Sequence, residues 1–390
     1  MKRPCLPPLS PHPSPGGRGS PAAPPQIPVP PEPNPAPPYT SPAHPAIDPA
    51  FTNQGPPLLS PAPTLVTGAT GFVGSAVART LLARGHALRL LVRRGGDRRN
   101  VDGLPAELHE GDLRDPASLT AAVQGCRYVA HVAADYRLWV PDPGPMMAAN
   151  VDGTRALLLA ARDAGVERVV YCSSVAALGL VGDGTPGTED TEVHPDKIVG
   201  VYKQSKYKAE QAVLDLVRTQ GVPAVIVNPS TPVGPRDIKP TPTGKMVLDA
   251  AAGRMPAYLD TGLNIVHVDD VAQGHLLAME RGQVGEAYIL GGTDLDMPHM
   301  LAMIDDVVGR PTQRRTRLPN RALVPLALGM EAAARMFGKE PLVTREMLAM
   351  ARKRMYFSSD KARRDLGYTA RPPRQAFADA IAWFREQGRL

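Results

Sequence analysis

A tyrosine and a lysine four residues apart are the side chains of this sequence best suited to proton transfer. Tyr202 and Lys206 lie within residues 198–218, a stretch predicted to form a long helix, and their spacing places both on one helical face. A phenol has an ordinary pKa of about 10, but a neighbouring ammonium favours the phenolate and lowers that pKa. Tyr202 is therefore predicted to exchange a proton with a carbonyl or alcohol oxygen, while Lys206 activates it. The same spacing arises by chance in many helices, so the assignment depends on its surroundings.

Two serines add to this pair. Ser173 and Ser174 follow residues 167–172, which are predicted to form a buried strand built around Val169 and Val170. In parallel sheets, ligands bind at the carboxyl ends of the strands. A hydroxyl at such an end can hydrogen-bond the reacting oxygen and stabilise the charge that develops on it. One of the two serines is therefore predicted to be catalytic.

Three regularly spaced glycines predict a bound dinucleotide. Gly68, Gly71 and Gly74 follow a short apolar strand, residues 64–66, and begin a helix. Glycine admits positive φ and lets a ligand approach the backbone, and the N-terminus of a helix attracts a negative group. Because another buried strand follows at residues 87–92, the unit is typical of dinucleotide binding. The predicted contacts are Gly68, Thr70, Gly71, Phe72, Val73 and Gly74.

The end of the second strand indicates which dinucleotide is bound. An acidic residue there would bind the ribose 2′-hydroxyl of NAD, but this sequence has Arg93 and Arg94. A guanidinium suits a 2′-phosphate, so NADP is the preferred cofactor and NAD the second choice. The alternative is that these arginines belong to a solvated basic turn. Asp112 and Leu113 follow a further predicted strand and are expected at the adenine, although Asp112 alone is also typical of a turn or cap.

Regular alternation of predicted strands and helices defines the fold class. Residues 64–235 are predicted to form an NAD(P)-binding Rossmann domain, an α/β fold with a doubly wound parallel sheet. A long amphipathic helix is predicted at residues 146–164. Over residues 236–390 the pattern loosens, which indicates a smaller substrate lobe from which single elements return to the main sheet.

The first 63 residues differ from the rest in composition. They contain about half of the 44 prolines and almost no apolar periodicity, so they are expected to stay disordered. One explanation is a proline-rich arm that docks to a partner as a polyproline II helix. The other, which we favour, is that translation starts near Pro61.

Composition argues against several other classes of function. The formal net charge is +6, but no nucleic-acid-binding motif accompanies the basic patches, which are expected to be solvated surface. No apolar run reaches transmembrane length, and residues 322–330 are expected in the core or at a membrane surface. Cys5, Cys126 and Cys172 have neither disulfide nor metal-site spacing, which predicts a reduced, cytoplasmic protein without a metal site.

From residue 64 to about residue 387, the sequence resembles the extended short-chain dehydrogenase/reductases. Within these it is similar to dihydroflavonol 4-reductases and NAD-dependent epimerases, and most similar to the bacterial hopanoid-associated sugar epimerases. The strings that carry the resemblance are 131–139 (HVAADYRLW), 228–239 (NPSTPVGPRDIK) and 351–359 (ARKRMYFSS). Residues 267–272 also resemble a segment that joins the substrate lobe to the core, with Asp270 expected to cap a helix.

The resemblance assigns roles to further residues. It favours Ser174 over Ser173, because the family's serine stands five residues before a glycine, here Gly179. It gives Asn150 the role of holding the sheet and a proton-relay water, and it places His131 along the cofactor. The cofactor contacts expected on this side are Val132, Ala133, Ala134, Tyr202, Lys206 and Pro229. The expected substrate contacts are Asp135, Tyr136, Trp139, Ser174 and Ser230.

Three functions are compatible with the sequence. The first is an NADPH-dependent reductase of a sugar-like or hydroxylated carbonyl compound, and the second is a sugar epimerase that retains NAD. The third is a non-catalytic dinucleotide sensor or assembly subunit, in which Tyr202 and Lys206 would not be needed. The resemblance implies a role in hopanoid side-chain biosynthesis, with a hopanoid lipid intermediate as substrate and peripheral contact with the inner membrane. A homodimer formed through helices 146–164 and 198–218 is a further expectation.

Overall fold

Short apolar strands alternate with helices through the residues that this computed structural model describes, which are 62–137, 140–182, 184–319, 323–337, 348–349 and 353–390. The strands are β1 (Thr64–Thr67), β2 (Leu88–Val92), β3 (Glu107–Glu110), β4 (Tyr128–His131), β5 (Arg168–Cys172), β6 (Ala224–Pro229), β7 (Thr231–Val233), β8 (Ala257–Leu259), β9 (Gly262–His267), β10 (Ala287–Leu290), β11 (Thr293–Asp296), β12 (Thr316–Leu318) and β13 (Arg354–Met355). The helices are α1 (Phe72–Ala83), α2 (Pro116–Val123), α3 (Gly144–Met147), α4 (Gly153–Asp163), α5 (Val201–Gln220), α6 (Pro242–Ala251), α7 (Val268–Arg281), α8 (Met297–Val307), α9 (Val324–Phe337), α10 (Asp360–Leu366) and α11 (Pro373–Glu386). The predicted N-terminal arm, except for its last two residues, lies outside the described residues.

One parallel sheet organises the nucleotide-binding half. Its seven strands have the order β3-β2-β1-β4-β5-β6-β10, and each pair is parallel. Thr67 of β1 lies opposite Leu91 of β2 and His131 of β4, so the carboxyl ends of these strands meet at one edge. The strand order reverses between β1 and β4, and such a switch point opens a crevice at that edge. The predicted doubly wound α/β fold is confirmed.

Helices bury both faces of this sheet. The first face packs against α1, α7 and α10 through side chains such as Val77 and Leu366. The second face packs against α2, α4 and α5 through side chains such as Leu158 and Leu216. Burying one large aliphatic side chain contributes about 1.5–3 kcal/mol, so these two apolar layers hold the strand ends in place.

The chain after residue 235 contributes to two parts of the structure. Helices α6, α8 and α11 enclose a separate apolar cluster that includes Ile304, Phe377 and Phe384. Beside them β9 pairs with β7, β11 and β13 in a second sheet. In contrast, β10 and α7 return to the main sheet. Residues beside this cluster and in this sheet, such as Met246 and Leu263, line a cavity together with residues at the carboxyl ends of the main strands.

The predicted helix at 146–164 is interrupted. Helix α3 is followed by a π-helical turn, Ala148–Asp152, before α4 begins. The hydroxyl of Thr154 donates to the carbonyl of Asn150 at 2.7 Å, and such a side-chain bond competes with the regular helical ladder. π turns of this kind are frequent at functional sites, and this one carries Asn150.

Two other sequence-based expectations need correction. Helix α5 begins at Val201 and not at residue 198, because Gly200 has φ 100°, a left-handed conformation outside the helix. The cap of α7 is His267, whose Nδ1 accepts from the backbone N–H of Asp269 at 3.0 Å. Asp270 binds the backbone N–H and the Nε of Arg371 instead, both at 2.8 Å, and so ties α7 to the chain that precedes α11.

Candidate active site

A cavity of about 1270 Å³ opens at the carboxyl ends of β1, β2, β4, β5 and β6. Its wall includes nearly all of the residues that the sequence singled out. They are Gly68, Thr70, Gly71, Phe72, Val73, Gly74, Arg93, Asp112, Leu113, Val132, Ala133, Ala134, Asp135, Tyr136, Ser174, Tyr202, Lys206, Pro229 and Ser230. Asn150 does not line the cavity, and Trp139 falls outside the described residues.

The glycine loop has the shape of a phosphate cradle. Gly68 has φ 72°, and a Cβ there would lie 2.7 Å from the backbone nitrogen of Ala133. A Cβ on Gly74 would overlap the carbonyl of Gly68, so α1 can pack this close to the loop only without a side chain. Gly71 is the N-cap residue of α1, and no side chain caps the helix. Gly71, Phe72 and Val73 line the cavity at this helix N-terminus, and these residues fit a diphosphate.

Arg93 is the arginine at the end of β2 that is available to a ligand. Its neighbours Arg94 and Arg98 pair with Glu110, and Arg99 pairs with Asp97. Arg93 is exposed and lines the cavity, and its side chain takes part in none of the hydrogen bonds and ion pairs of the described residues. Its charge contributes, after larger effects, to the lowered pKa of Asp112 and of Asp135. An exposed Arg93 fits a solvated basic turn as well as a contact with a 2′-phosphate.

Asp112 lines the same end of the cavity. Its carboxylate is hydrogen-bonded to Arg114. Arg114 donates to it through its backbone N–H and Nε, both at 2.9 Å, and through Nη2 at 3.0 Å. The Arg114 guanidinium lowers the pKa of Asp112 to about 2. Asp115, and not Asp112, caps α2 by accepting from the backbone N–H of Ala117 at 3.1 Å.

Ser174 and Tyr202 meet at the cavity wall. The Ser174 hydroxyl lies beside the half-buried Tyr202 phenol and accepts from the backbone N–H of Ala176 at 3.1 Å. Burial raises the pKa of Tyr202 to about 12, and the nearby Ser174 hydroxyl only partly opposes this effect. The sequence predicted a lowered pKa, which is wrong for this arrangement because the ammonium of Lys206 is directed elsewhere. Tyr202 is therefore a protonated phenol at neutral pH.

Lys206 is buried at the end of β5, one helical turn from Tyr202. Its Nζ donates to the carbonyl of Cys172 at 2.7 Å and to the phenol of Tyr171 at 3.2 Å. It also lies 4.8 Å from the centroid of the Tyr171 ring, within cation–π range. Burial lowers the pKa of Lys206. These contacts fix the ammonium beside the strand end that carries Ser174.

Asn150 joins the loop after β4 to the catalytic helix. Its Oδ1 accepts from the backbone N–H of Asp135 at 2.7 Å, and its Nδ2 donates to the Asp135 carbonyl at 2.8 Å and to Ser205 Oγ at 2.9 Å. Ser205 in turn donates to the carbonyl of Tyr202 at 2.7 Å. Asn150 therefore links the loop at Asp135 to α5 through both the oxygen and the nitrogen of its amide group.

His131 belongs to the same buried network of hydrogen bonds. It was expected to line the cofactor site, but it does not line the cavity. Its Nε2 lies 2.9 Å from Thr154 Oγ1, and its Nδ1 lies 2.8 Å from Thr67 Oγ1. Because Thr154 donates to Asn150, its oxygen accepts from Nε2–H, which leaves Nδ1 as the acceptor from Thr67. Burial lowers the pKa of His131 to about 3, so the ring stays neutral. This network of hydrogen bonds links β1, which precedes the glycine loop, to Asn150 and α5.

A second set of contacts behind Ser174 was missed at the sequence level. The Asn228 Nδ2 donates to the backbone carbonyl of Ser174 at 3.2 Å and to the carboxylate of Glu210 at 2.8 Å. Ser173 also lies near Glu210, without a well-aligned hydrogen bond. Glu210 stands one turn after Lys206 on α5, and that spacing is the signal that sequence reasoning could have used.

Proton transfer beside a dinucleotide cradle is the chemistry of NAD(P)-dependent oxidoreductases, and the fold and the cavity define a protein of this class. Comparison with known proteins identifies the family. The sequence model of the NAD dependent epimerase/dehydratase family matches residues 64–291. The chain belongs to this family, within the extended short-chain dehydrogenase/reductases, and is an enzyme.

Individual relatives match along most of their length. A provisionally named dihydroflavonol 4-reductase of Synechocystis sp. is 43% identical over 326 residues, which are 83% of this chain and 94% of the relative. The sterol demethylase protein B of Methylococcus capsulatus is 36% identical over 326 residues, 83% of this chain and 98% of the relative. The crystal structure of gox2253 is 61% identical, covers 84% of this chain and 99% of its own, and superposes with a TM-score of 0.76.

Proposed function

We propose that the protein is an NADPH-dependent carbonyl reductase of a sugar-like or otherwise hydroxylated compound. The observation that carries the proposal is the Tyr202 phenol in the cavity wall beside Ser174, protonated at neutral pH because burial raises its pKa. Reduction of a carbonyl requires a proton donor at its oxygen, and a protonated phenol is such a donor. Oxidation of an alcohol would begin with the phenolate.

The residues of this chain divide the work of reduction. A bound nicotinamide would supply the hydride to the carbonyl carbon. Tyr202 donates its phenolic proton to the carbonyl oxygen, and Ser174 holds that oxygen by a hydrogen bond while negative charge develops on it. Lys206, whose ammonium is held by the Cys172 carbonyl, would bind the ribose hydroxyls next to the nicotinamide. Asn150 keeps the loop at Asp135 in register with α5 throughout.

Arg93 supports the preference for NADP over NAD. It lines the cavity at the end of β2, and none of the ion pairs of the described residues includes it. A guanidinium can bind a phosphate through two parallel hydrogen bonds, whereas a ribose diol would favour an acidic residue at this position.

The substrate side of the cavity suits a polar head attached to an apolar body. Its wall includes Leu178, Leu180, Val199, Met246 and Met355. The name of the Methylococcus relative refers to a sterol, which is a rigid polycyclic lipid. We propose a hopanoid intermediate as the lipid, modified in its polar side chain at the cytoplasmic face of the inner membrane.

Helix α9 supports peripheral contact with that membrane. It exposes about half of Leu326 and of Leu328, and exposed apolar side chains favour a membrane surface. None of the helices in the described ranges is long and apolar enough to cross a membrane.

A sugar epimerase that retains NAD is the second candidate, because the family name includes that chemistry. The nucleotide that leaves the purified full-length chain on denaturation separates the two functions. Release of NADP(H) or of no nucleotide, together with NADPH-dependent turnover of an aldehyde, supports the reductase. Stoichiometric release of NAD refutes it. A chain that binds NADPH tightly but turns over no carbonyl compound would point to the third function, a non-catalytic sensor.

A further inference from the structure

Asp237 is a buried carboxylate in the wall of the cavity that the mechanism does not use. Only 2% of its surface is exposed, and it lies in the loop between β7 and α6. Its Oδ2 accepts from the backbone N–H and from the hydroxyl of Thr241, both at 2.9 Å. Its Oδ1 makes no hydrogen bond with any described residue, although Asp237 lines the cavity. One carboxylate oxygen is therefore held by protein and the other is left for a ligand.

The backbone before Asp237 is held in an unfavourable conformation. Arg236 has φ 76°, the one positive φ of a non-glycine residue in the described ranges. Its carbonyl accepts from Asn100 Nδ2 at 3.2 Å, and its guanidinium pairs with Asp269. Asn100 Nδ2 also donates to the carbonyl of Thr70 in the glycine loop at 3.1 Å. Strain of this kind persists where surrounding contacts impose it, and it concentrates at functional sites.

The space around Asp237 is shaped to admit the carboxylate. A Cβ on Gly244 would overlap Asp237 Oδ2, so α6 approaches this closely only because it has glycine there. Across the cavity, the charge of Asp237 contributes to the raised pKa of Tyr136, after the larger effect of burial. Ser230 Oγ is a further buried polar atom of the cavity wall without a hydrogen-bond partner. The cavity wall thus offers polar atoms of Asp237 and Ser230 besides its apolar side chains.

We propose that Asp237 determines substrate specificity by accepting a hydrogen bond from a hydroxyl group of the substrate's polar head. This inference rests on the proposed function, since it names the feature by which the reductase would select hydroxylated compounds. A carboxylate only accepts hydrogen bonds, and a buried acceptor without a donor is costly. An anionic group would be repelled, so a neutral polyol fits best. If Asp237 served only to hold Thr241 at the start of α6, it would need only Oδ2, the oxygen that binds Thr241.

Binding of ribitol, a neutral polyol, tests the proposal. The wild-type chain and its Asp237→Asn variant are compared by saturation-transfer NMR in the presence of NADPH. The asparagine keeps one oxygen for both Thr241 contacts and turns an NH2 group toward the cavity, so the fold is retained. The Asp249→Asn variant removes a carboxylate from the same lobe, outside the cavity wall, and is the matched control. If Asp237→Asn fails to fold, Asp237→Glu takes its place in the comparison, because it keeps the charge but displaces both carboxylate oxygens.

We expect ribitol to bind the wild type and Asp249→Asn alike, and Asp237→Asn at least about tenfold more weakly, as for a lost hydrogen bond to a charged group. The proposal is overturned if the wild type does not bind ribitol, if Asp237→Asn binds it as well as the wild type, or if Asp249→Asn weakens it equally. Turnover of D-glyceraldehyde and of propanal is measured separately. If neither aldehyde is turned over, the proposed reductase activity is wrong. The ribitol-binding result still tests whether Asp237 accepts a hydrogen bond from a hydroxyl group.

Discussion

Replacing Asp237 by asparagine should stabilise the folded protein at neutral pH. Burial raises the pKa of this carboxyl from 3.8 to about 6, although the hydrogen bonds from Thr241 and the charge of Arg389 oppose the rise. An acid with a higher pKa in the folded state favours folding while it is protonated, and this advantage disappears as the pH rises through the folded pKa. The ionised carboxylate therefore weakens the fold above about pH 6.

The size of the effect follows from the pKa difference. A rise from 3.8 to about 6 corresponds to about 3 kcal/mol at most, since one pKa unit equals about 1.4 kcal/mol. The buried amide of asparagine has its own cost of burial, so we expect a gain of about 1–3 kcal/mol in the free energy of unfolding at neutral pH.

Urea unfolding followed by circular dichroism from about pH 4 to about pH 8 measures this gain. The difference between Asp237→Asn and the wild type should be smallest at the acidic end, grow between about pH 4 and about pH 6, and stay nearly level above that. The control is Asp249→Asn, where Lys245 and Arg254 overcome the opposing effect of burial and lower the pKa of the carboxyl. Its removal should not stabilise the protein at neutral pH. A variant of Asp237 that is no more stable than the wild type at neutral pH, or a gain that does not change with pH, would refute the reasoning.

Other predictions concern catalysis and the cofactor. Tyr202→Phe should lower kcat by about 10²–10⁴-fold while the Kd for NADPH stays within about twofold, and steady-state kinetics with fluorescence titration check this. Because burial raises the pKa of Tyr202 to about 12, kcat for reduction should stay level from about pH 6 to about pH 9; a fall near neutral pH would contradict a protonated phenol. Arg93→Ala should weaken NADPH binding by about tenfold or more and change NADH binding little, as titration with both cofactors would show. Asn150→Ala should lower both kcat and the free energy of unfolding, the latter by about 1–3 kcal/mol, whereas an unchanged kcat would argue against its positioning role.

Much of this site could be predicted from sequence because its signals are local. The spacing of Gly68, Gly71 and Gly74 between an apolar strand and a helix reflects steric needs within one short loop. The spacing of Tyr202 and Lys206 reflects the helical period alone. The alternation of strands and helices then fixes where the strand ends must meet. The end of the second strand likewise showed that Arg93, and no acidic residue, stands there.

The tertiary structure decided whatever depends on side-chain direction or on distant partners. The choice between adjacent serines depends on which hydroxyl lies beside Tyr202, and the structure places Ser174 there. The protonation of Tyr202 depends on burial and on a Lys206 ammonium that β5 binds, neither of which follows from helical spacing. Asp237 acquires a role only because a loop far along the chain folds back beside the glycine loop. Local spacing acts through covalent geometry that is the same in any fold, whereas pKa values, hydrogen-bond partners and access to a cavity are set by residues that only folding brings together.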